Sequence, residues 1–160
     1  MKSLNQLIIT LMACLFSIQA WAQSGKLFNT DNQLSSNLAT QVFQDKSGFI
    51  WIATRNGLNT YDGYHITVMK KDMSNFLGLK SNYINSIAQD DKEHILLGTN
   101  NSLLEFTGSE FLKIPMLDSK GEELATYVKQ VYPLKNKDVA VATSGYGIMI
   151  KKKDAQECHA

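Results

Sequence analysis

A gapless internal repeat is the feature that most constrains how this chain can fold. Residues 34–63 align onto residues 79–108 at an offset of 45, and ten of the 30 aligned pairs are identical. A third, more divergent copy follows, in which Val139–Thr143 takes the place of Ile50–Thr54 and one residue is added in the next turn. A fixed period of this length predicts that one supersecondary unit recurs along the chain. Arrays of helices and arrays of strands both occur at such periods, so the local pattern must decide between them.

Each copy has the pattern of four short strands separated by tight turns. In the first copy, the segments rich in β-branched and aromatic residues are Thr40–Asp45, Phe49–Thr54, Leu58–Tyr61 and His65–Met69. The separators contain Asn56-Gly57 and Asp62-Gly63, and these residue types accept the positive φ that tight hairpin turns require. The pattern predicts four consecutive antiparallel strands, at positions that we name A to D. Four strands in ~45 residues is the size of one propeller blade.

The sequence therefore predicts an all-β fold: an incomplete β-propeller of about three four-stranded antiparallel blades after a cleavable signal peptide. The predicted boundaries are a signal peptide over 1–22, a lead-in strand over 23–33, blade 1 over 34–78, blade 2 over 79–125, a partial blade 3 over 126–150 and a tail over 151–160. The tail lacks the repeat pattern and is expected to be irregular. Because a propeller closes with ~4 to 8 blades, three blades should leave two apolar faces open. We expect such a chain to associate through surfaces of the Trp51 type.

Residues 1–22 have the pattern of an export signal. Lys2 precedes an apolar stretch over 7–18, and Ala20-Trp21-Ala22 offers small residues at the two positions that a signal peptidase reads. The stretch is shorter than the ~20 apolar residues of a membrane-spanning helix, so a transmembrane segment is the weaker interpretation. A lipoprotein anchor at Cys14 is weaker still, because too few apolar residues precede it. We expect an exported, periplasmic protein, tethered to a membrane only if the chain continues to a spanning helix.

Charge and motif content argue against two classes of function. Lys plus Arg number 16 against 15 for Asp plus Glu, and loss of Lys2 with the leader would balance them. Nucleic-acid-binding proteins carry a basic excess, so no nucleic-acid partner is expected. The chain has no Gly-x-Ser-x-Gly elbow and no phosphate-binding glycine loop, so we expect no catalytic residues, no cofactor and no enzyme activity. Cys158 is the one thiol after the leader, and neither His65 nor His94 has a neighbouring ligand type at metal spacing, so no metal site is expected.

The first copy resembles a known family of repeats. Residues 37–63, with the Gln44-Asp45 and Ile50–Thr54 segments, closely resemble the two-component regulator propeller repeat. The likeness weakens in the second copy, where Leu96 stands in place of Trp51, and is thinnest in the third. The resemblance implies the periplasmic sensor region of a hybrid two-component histidine kinase of the Bacteroides type. Such sensors recognise oligosaccharides and control glycan-utilisation genes.

The resemblance also implies partners. These are an oligosaccharide ligand, the remaining propeller blades of a longer chain of which this is an N-terminal fragment, and, in some assemblies, a second copy in a homodimer. Histidine kinase activity would belong to domains outside this chain. The alternative is a secreted β-propeller that serves as a protein-interaction scaffold without a kinase.

Blade geometry selects the candidate ligand-binding residues. In a four-stranded antiparallel blade, the B–C turns and the connections into strand A lie at the same end, which we call the mouth. The candidates in the B–C turns are Arg55, Asn56, Asn100, Asn101 and Tyr146. Planar amide and guanidinium groups together with an aromatic face are suited to binding a sugar.

Several of these residues also have a structural interpretation. Asn and Ser are favoured turn residues, and the recurrence of Asn56 as Asn101 indicates a requirement of the fold rather than ligand specificity. Arg55 breaks the repeat, because Asn100 stands at its equivalent position, so both roles are open for it. Side chains predicted to be structural are Ser36, Asn37, Ser81, Asn82, Asp45, Asp90, Thr54, Thr99, Thr143 and Trp51.

Overall fold

The computed structural model describes residue 6 and residues 25–71 and 78–159. Within residues 25–71 and 78–159, thirteen strands form three sheets and one 3-10 helix spans Thr30–Asn32. The chain is therefore all-β, as predicted. Apart from Gln6, the predicted signal peptide lies outside the described residues. None of the described helices has both the length and the apolar character needed to cross a membrane.

Blade 1 is a four-stranded antiparallel sheet in the order in which its strands follow along the chain. Its strands are β1 (Ala39–Gln44), β2 (Ile50–Thr54), β3 (Gly57–Tyr61) and β4 (Ile66–Met69). They occupy positions A to D, and their bounds differ by at most one residue from the predicted segments. The agreement follows from local chemistry, since each turn is fixed by its own Gly, Asn or Asp residues.

Blade 2 repeats this sheet 45 residues later. Its strands are β5 (Ile84–Gln89), β6 (Ile95–Thr99), β7 (Leu103–Phe106) and β8 (Phe111–Ile114). Even an irregularity recurs: the A–B pairing shifts register between Ala39 and Gln41 in blade 1 and between Ile84 and Ser86 in blade 2. The sequence repeat is thus a structural repeat down to the position of a bulge.

Blade 3 is larger than predicted. Its strands are β10 (Val128–Pro133), β11 (Val139–Thr143), β12 (Ile148–Lys151), β13 (Cys158–His159) and β9 (Met116–Leu117), in that spatial order. Strand β13 is antiparallel to β12 and occupies position D. Strand β9, which lies in the connection after blade 2, adds to the outer edge in parallel with β13.

The prediction of an irregular tail over 151–160 is therefore wrong, because strand D of blade 3 lies within it. Asp138 anchors the turn that leads into β13: its carboxylate accepts a hydrogen bond from the backbone N of Lys153 and one from Lys152 Nζ, both at 3.0 Å. The bond from Lys152 also holds the pKa of Asp138 below its usual value. Cys158 is buried in the same apolar cluster as Met116. A two-residue strand is too short for a periodic pattern, which is why the sequence did not reveal it.

The predicted lead-in strand over 23–33 is also wrong in the described part of that segment. Residues 25–33 contain no strand, and the 3-10 helix lies there instead. The Asn29 side chain accepts hydrogen bonds from the backbone N of Asp31 and of Asn32, both at 3.1 Å. Asn and Asp favour such local side-chain bonds over a sheet ladder.

The blades pack face to face through two apolar clusters. The first, between blades 1 and 2, includes Trp51 and Leu97, and the second, between blades 2 and 3, includes Leu96 and Val131. Leu96 and Leu97 are consecutive in β6, so this strand is buried on both of its faces. The Trp51 ring meets Phe106 of blade 2 edge-on, with the centroids 5.7 Å apart. Trp51 is an inter-blade core residue, as predicted, and does not lie on an open face.

Polar side chains of strand A also hold the next blade. Gln41 Nε2 donates to the carbonyl O of Ile87 at 2.9 Å, and its Oε1 accepts from the backbone N of Ile87 at 2.8 Å. One blade further on, Ser86 Oγ accepts from the backbone N of Val131 at 3.0 Å. Gln41 and Ser86 occupy the same position in the repeat, and so do Ile87 and Val131. The contact between blades therefore recurs along with the strands.

Gly98 marks the closest approach between blades 2 and 3. A Cβ at Gly98 would lie 2.6 Å from Val128 Cγ1. We predict that Gly98→Ala lowers the free energy of unfolding by about 1 to 3 kcal/mol through overpacking, measured by urea denaturation. Gly25→Ala is the matched control, because a Cβ at Gly25 would meet no atom within 4 Å. Val128→Ala should cost less in the Gly98→Ala background than alone; equal costs would contradict the contact.

The burial of Cys158 in β13 predicts that its thiol is protected from reagents in the solvent. Burial raises the pKa of this thiol to about 11, so it should stay protonated and unreactive near neutral pH. In a Cys14→Ser background, we expect labelling by a thiol reagent to be slow in the native chain and fast in urea, as followed by mass spectrometry. Native labelling as fast as in urea would show that β13 does not form.

Candidate functional site

Backbone and side-chain bonds join each B–C turn to the beginning of strand A. The backbone N of Arg55 donates to the carbonyl O of Leu38 at 3.1 Å, and that of Ser144 donates to Tyr127 O at 2.9 Å. In blade 2, Ser81 Oγ donates to Asn100 Oδ1 at 2.7 Å. The turns and the strand starts therefore lie together at the mouth, as the blade geometry predicts.

A cavity of about 540 Å³ opens at this mouth, and we call it the mouth cavity. Its lining residues are Leu38, Ala39, Thr40, Arg55, Tyr83, Asn85, Tyr127 and Lys129. All except Arg55 lie at or just before the beginning of the innermost strands β1, β5 and β10. Each of the three blades thus contributes the beginning of its strand A to the lining of the mouth cavity.

Aromatic and polar groups in the mouth cavity are arranged around Tyr83. The Arg55 guanidinium carbon lies 5.4 Å from the centroid of the Tyr83 ring, within the range of a cation–π contact. The Tyr83 and Tyr127 rings are 6.3 Å apart with an interplanar angle of 59°. The Tyr127 hydroxyl donates to Asn85 Oδ1 at 2.9 Å. The cavity therefore offers two aromatic surfaces beside a planar cation and an amide.

The charge of this lining is one-sided. Arg55 and Lys129 are cationic, and no carboxylate is among the lining residues. Within the described part of the chain, neither cation forms an ion pair with an acidic side chain. Because the whole chain carries a net charge of only +1, the excess of positive charge is local to this cavity.

Of the five residues predicted for ligand binding, Arg55 alone lines the mouth cavity. The Asn56 side chain donates to the carbonyl O of Ser35 at 3.4 Å, and Asn100 Oδ1 accepts from Ser81 Oγ, so both bond the connection into strand A. Asn101 Oδ1 accepts from Thr99 Oγ1 at 3.1 Å. These three asparagines therefore have bonds that hold the turns.

Tyr146, the fifth predicted residue, is exposed and lies outside the cavity lining. It belongs to the B–C turn of blade 3, and its exposed ring lies at the mouth apart from the residues that line the cavity.

The sequence analysis did not identify Tyr83, Tyr127, Asn85 and Lys129. The signal that could have found them is the same one that singled out Arg55, namely departure from the repeat. Tyr83 and Tyr127 stand at the position of Leu38, and Asn85 and Lys129 at the position of Thr40. The fold requires no particular side chain at the position of Leu38, Tyr83 and Tyr127. Thr40 and Asn85, in contrast, each bond the backbone of the next blade, to Ile84 O at 2.6 Å and to Val128 O at 2.9 Å.

The residues predicted to be structural make the expected bonds. Asp45 Oδ1 accepts from the backbone N of Phe49 at 3.0 Å, and Asp90 Oδ1 accepts from that of His94 at 2.9 Å. Thr54 Oγ1 donates to the carbonyl O of Gly57 at 2.8 Å, closing the B–C turn. The equivalent bonds of Thr99 and Thr143 go to Ser102 O and Gly147 O.

The expectation that His94 has no neighbouring ligand type is wrong. His94 Nδ1 lies 2.9 Å from Glu105 Oε1 and 3.9 Å from Asp90 Oδ2, and one ligand atom from each of the three residues falls within 4.8 Å of the others. The sequence did not indicate the contact between His94 and Glu105, because Glu105 reaches His94 from the neighbouring strand of the β6–β7 hairpin. In blade 1 the equivalent carboxylate, Asp45, instead accepts from Trp51 Nε1 at 2.7 Å.

These three residues are the set in the described chain that could hold a divalent cation. They are partly shielded from solvent and sit at the end of the blade away from the mouth, beside the A–B turn. The set also has a structural role, because Asp90 Oδ1 accepts from the backbone N of His94 and His94 Nδ1 contacts Glu105 Oε1, both at 2.9 Å. His159, in contrast, faces Glu157 at 2.9 Å while Cys158 points into the core, so these two residues do not form half of a metal site.

Comparison with protein families identifies the repeat. The model of the two component regulator propeller matches residues 33–56 and 78–101, which run from the connection before strand A to the B–C turn in blades 1 and 2. These two segments match the two component regulator propeller repeat. Among curated proteins, none matches the chain.

Solved structures that contain propeller blades share the fold of these regulator propeller repeats. The extracellular domain of the one-component system BT4673 from B. thetaiotaomicron aligns with a TM-score of 0.66 and 18% identity over 81% of this chain and 19% of that one. The extracellular domain of the hybrid two-component system BT3049 from the same organism gives 0.62 and 19% identity over 81% and 17%. PorZ, a surface component of the type-IX secretion system of Porphyromonas gingivalis, gives 0.58 and 14% over 78% and 21%. The chain spans about a fifth of the length of these proteins.

The environment of Tyr127 predicts a measurable titration. Partial burial raises the pKa of Tyr127, the neighbouring Tyr83 raises it further, and the charge of Arg55 lowers it. Because the folded state holds the phenolic proton more tightly, the stability from this group is present at neutral pH and is lost as the pH rises through the raised pKa. We expect ultraviolet titration to show one late tyrosine that Tyr127→Phe removes and Arg55→Gln shifts still higher. No effect of Arg55→Gln would contradict the proximity of the two side chains.

Proposed function

We propose that this chain is part of an exported sensor propeller of a two-component regulator, and that it binds an oligosaccharide in the mouth cavity. The regulator propeller repeats support the sensor role. Two proteins of the same fold are described as extracellular domains of a one-component and a hybrid two-component system. The export signal predicted over residues 1–22 is consistent with a periplasmic location.

The observation that carries the proposal is the chemistry of the mouth cavity. Sugar rings present apolar faces that stack on aromatic side chains and hydroxyl groups that bond to planar amides and guanidinium groups. Tyr83 and Tyr127 supply the first kind of surface, and Asn85 and Arg55 supply the second. Tyr83 and Tyr127 occupy a position that holds Leu38 in blade 1, and this departure from the repeat supports a role in ligand binding.

In this proposal the output of the sensor lies in domains outside this chain. In this proposal the bound oligosaccharide controls glycan-utilisation genes through a histidine kinase that belongs to a longer gene product. The chain itself contributes recognition and no catalysis. The remaining blades of that product would complete the mouth around the same axis.

The second candidate is a secreted scaffold that binds proteins without a kinase. It is favoured by the apolar side chains Tyr132 and Ile148, which are exposed together on blade 3. PorZ, which shares the fold, is described as a surface component of a secretion system, a description that mentions no kinase. The two candidates differ in which surface is used, because a sensor needs the mouth cavity and a scaffold needs the face of a blade.

Calorimetric titration of the chain with a panel of oligosaccharides tests the proposal. The panel includes trigalacturonate and its fully methyl-esterified form, in which each carboxylate is replaced by an uncharged methyl ester, because the lining carries two cations and no carboxylate. We expect binding of at least one member, weakened about threefold to tenfold by Tyr83→Ala, as loss of one aromatic contact predicts. Arg55→Gln should weaken binding of the charged form more than that of its ester.

Tyr146→Ala is the matched control, because it removes a tyrosine at the same mouth that does not line the cavity. Equal losses for Tyr83→Ala and Tyr146→Ala would place the ligand elsewhere. Absence of binding to every member of the panel would favour the scaffold.

A further inference from the structure

An aspartate in the A–B turn of blade 2 lacks a partner that its equivalent in blade 1 has. In blade 1, Asp45 Oδ2 accepts a hydrogen bond from Trp51 Nε1 at 2.7 Å. The same two positions of blade 2 hold Asp90 and Leu96, and leucine has no side-chain donor. Asp90 Oδ1 accepts from the backbone N of His94 at 2.9 Å, whereas its Oδ2 accepts no hydrogen bond within the described residues. Because the Asp90 side chain is only 5% exposed, water has little access to this oxygen.

Two further departures from the repeat lie beside this carboxylate. His94 stands at the position of Phe49, and Glu105 stands at the position of Thr60. His94 Nδ1 lies 2.9 Å from Glu105 Oε1 and 3.9 Å from Asp90 Oδ2. Blade 1 pairs its strands B and C in the same way with a phenylalanine and a threonine at these positions. Together with the loss of the tryptophan, the changes in blade 2 therefore take a donor away from the aspartate and place an imidazole and a second carboxylate beside it.

The two carboxylates of this set have no other cationic partner. Among the described residues, neither Asp90 nor Glu105 forms an ion pair with a lysine or an arginine. The Glu105 side chain is 17% exposed and that of His94 is 33% exposed. Carboxylates that are shielded from water in this way are normally paired or coordinate a metal ion. The partial exposure of His94 leaves a path by which an ion and a water molecule can reach the set.

The ligand types favour a transition-metal ion. Mg²⁺ and Ca²⁺ prefer six or more oxygen ligands, whereas Zn²⁺ binds imidazole nitrogen and carboxylate oxygen in tetrahedral sites at about 2.0 to 2.2 Å. The ligand atoms of such a site are about 3.4 Å apart. The two distances from His94 Nδ1 lie on either side of this value, and all three ligand atoms fall within 4.8 Å of one another. Rotation of the longer Glu105 side chain can bring them around one ion.

We propose that Asp90, His94 and Glu105 bind one Zn²⁺ ion through Oδ2, Nδ1 and Oε1, with a water molecule as the fourth ligand. The ion satisfies the oxygen of Asp90 that corresponds to the one bonded by Trp51 in blade 1. It also joins the A–B turn of blade 2 to strand C of the same blade. The site lies at the end of the blade away from the mouth, so the proposal does not depend on a ligand in the mouth cavity.

Calorimetric titration of the full chain with Zn²⁺ tests this site, in a Cys14→Ser background that removes the leader thiol. We expect saturable binding of one equivalent. His94→Phe and Glu105→Thr introduce the residues of blade 1, so the hairpin should still form, which circular dichroism can verify. Each should weaken binding by about tenfold or more, because the loss of a ligand costs at least as much as the loss of a group that only orients one.

His65→Phe is the matched control. His65 Nδ1 also faces a carboxylate, Asp62 Oδ2 at 3.7 Å, but the described residues offer no third ligand there. This variant should bind Zn²⁺ as tightly as the parent chain. A loss as large as that of His94→Phe would overturn the proposal, and so would affinities that stay unchanged in both His94→Phe and Glu105→Thr.

X-ray absorption at the zinc edge gives a second readout, which identifies the ligand atoms directly. We expect a first shell of nitrogen and oxygen at about 2.0 to 2.2 Å, with the outer scattering of one imidazole, and the imidazole signal should disappear in His94→Phe. A sulfur shell would place the ion at Cys158 and contradict the site. Absence of any saturable binding would leave Asp90, His94 and Glu105 with their structural role alone and would overturn the proposal.

Discussion

The whole structure depends on the burial of apolar side chains between adjacent blades. A four-stranded sheet of this size has two apolar faces and cannot cover either one by itself. In β6 the consecutive residues Leu96 and Leu97 are both fully buried, one against blade 3 and the other against blade 1. Blade 2 is therefore complete because it has two neighbours. The polar bonds from Gln41 and Ser86 to the next backbone fix the register of this packing, and so they align the mouths of the three blades.

That alignment explains why the mouth cavity lies where it does. The contacts that stabilise a blade come from the middle of strands A to C, whereas the beginnings of strand A are held through backbone bonds such as that from Arg55 N to Leu38 O. A backbone bond does not depend on the side chain. Positions 38, 83 and 127 can therefore carry Leu, Tyr and Tyr without a change in the fold. The side chains at this end of the propeller can therefore vary between blades. Those of the buried strand B must stay apolar, because they form the contacts between blades.

The sequence predicts those parts of the structure that depend on neighbouring residues, and it does not predict those that depend on contacts between distant segments. Strands β1 to β4 were predictable within one residue because their turns carry Gly, Asn or Asp and their strands carry β-branched residues. Pairings between distant segments were not. Cys158 pairs with Met116 in β9, and Glu105 reaches His94 across a hairpin; neither contact leaves a periodic trace in the chain. In the site, Arg55 and Tyr83 both depart from the repeat. Arg55 was predictable because it lies in a B–C turn, whereas Tyr83 directly follows Ser81 and Asn82, which recur as turn residues before strand A.

The face of blade 3 that carries Tyr132 and Ile148 is connected to the mouth cavity through β10. Gln130 and Lys129 are neighbours in this strand, and their side chains serve different purposes: Gln130 lies on that face, and Lys129 lines the cavity. A further blade packed on that face would place the beginning of its own strand A beside Lys129, since this is how β5 lies beside β1 and β10 beside β5. Such a blade, which the proposed function assigns to a longer gene product, would thus extend the cavity wall by the same geometry that built it. A ligand that contacts both sides of that seam would then stabilise the contact between the two blades.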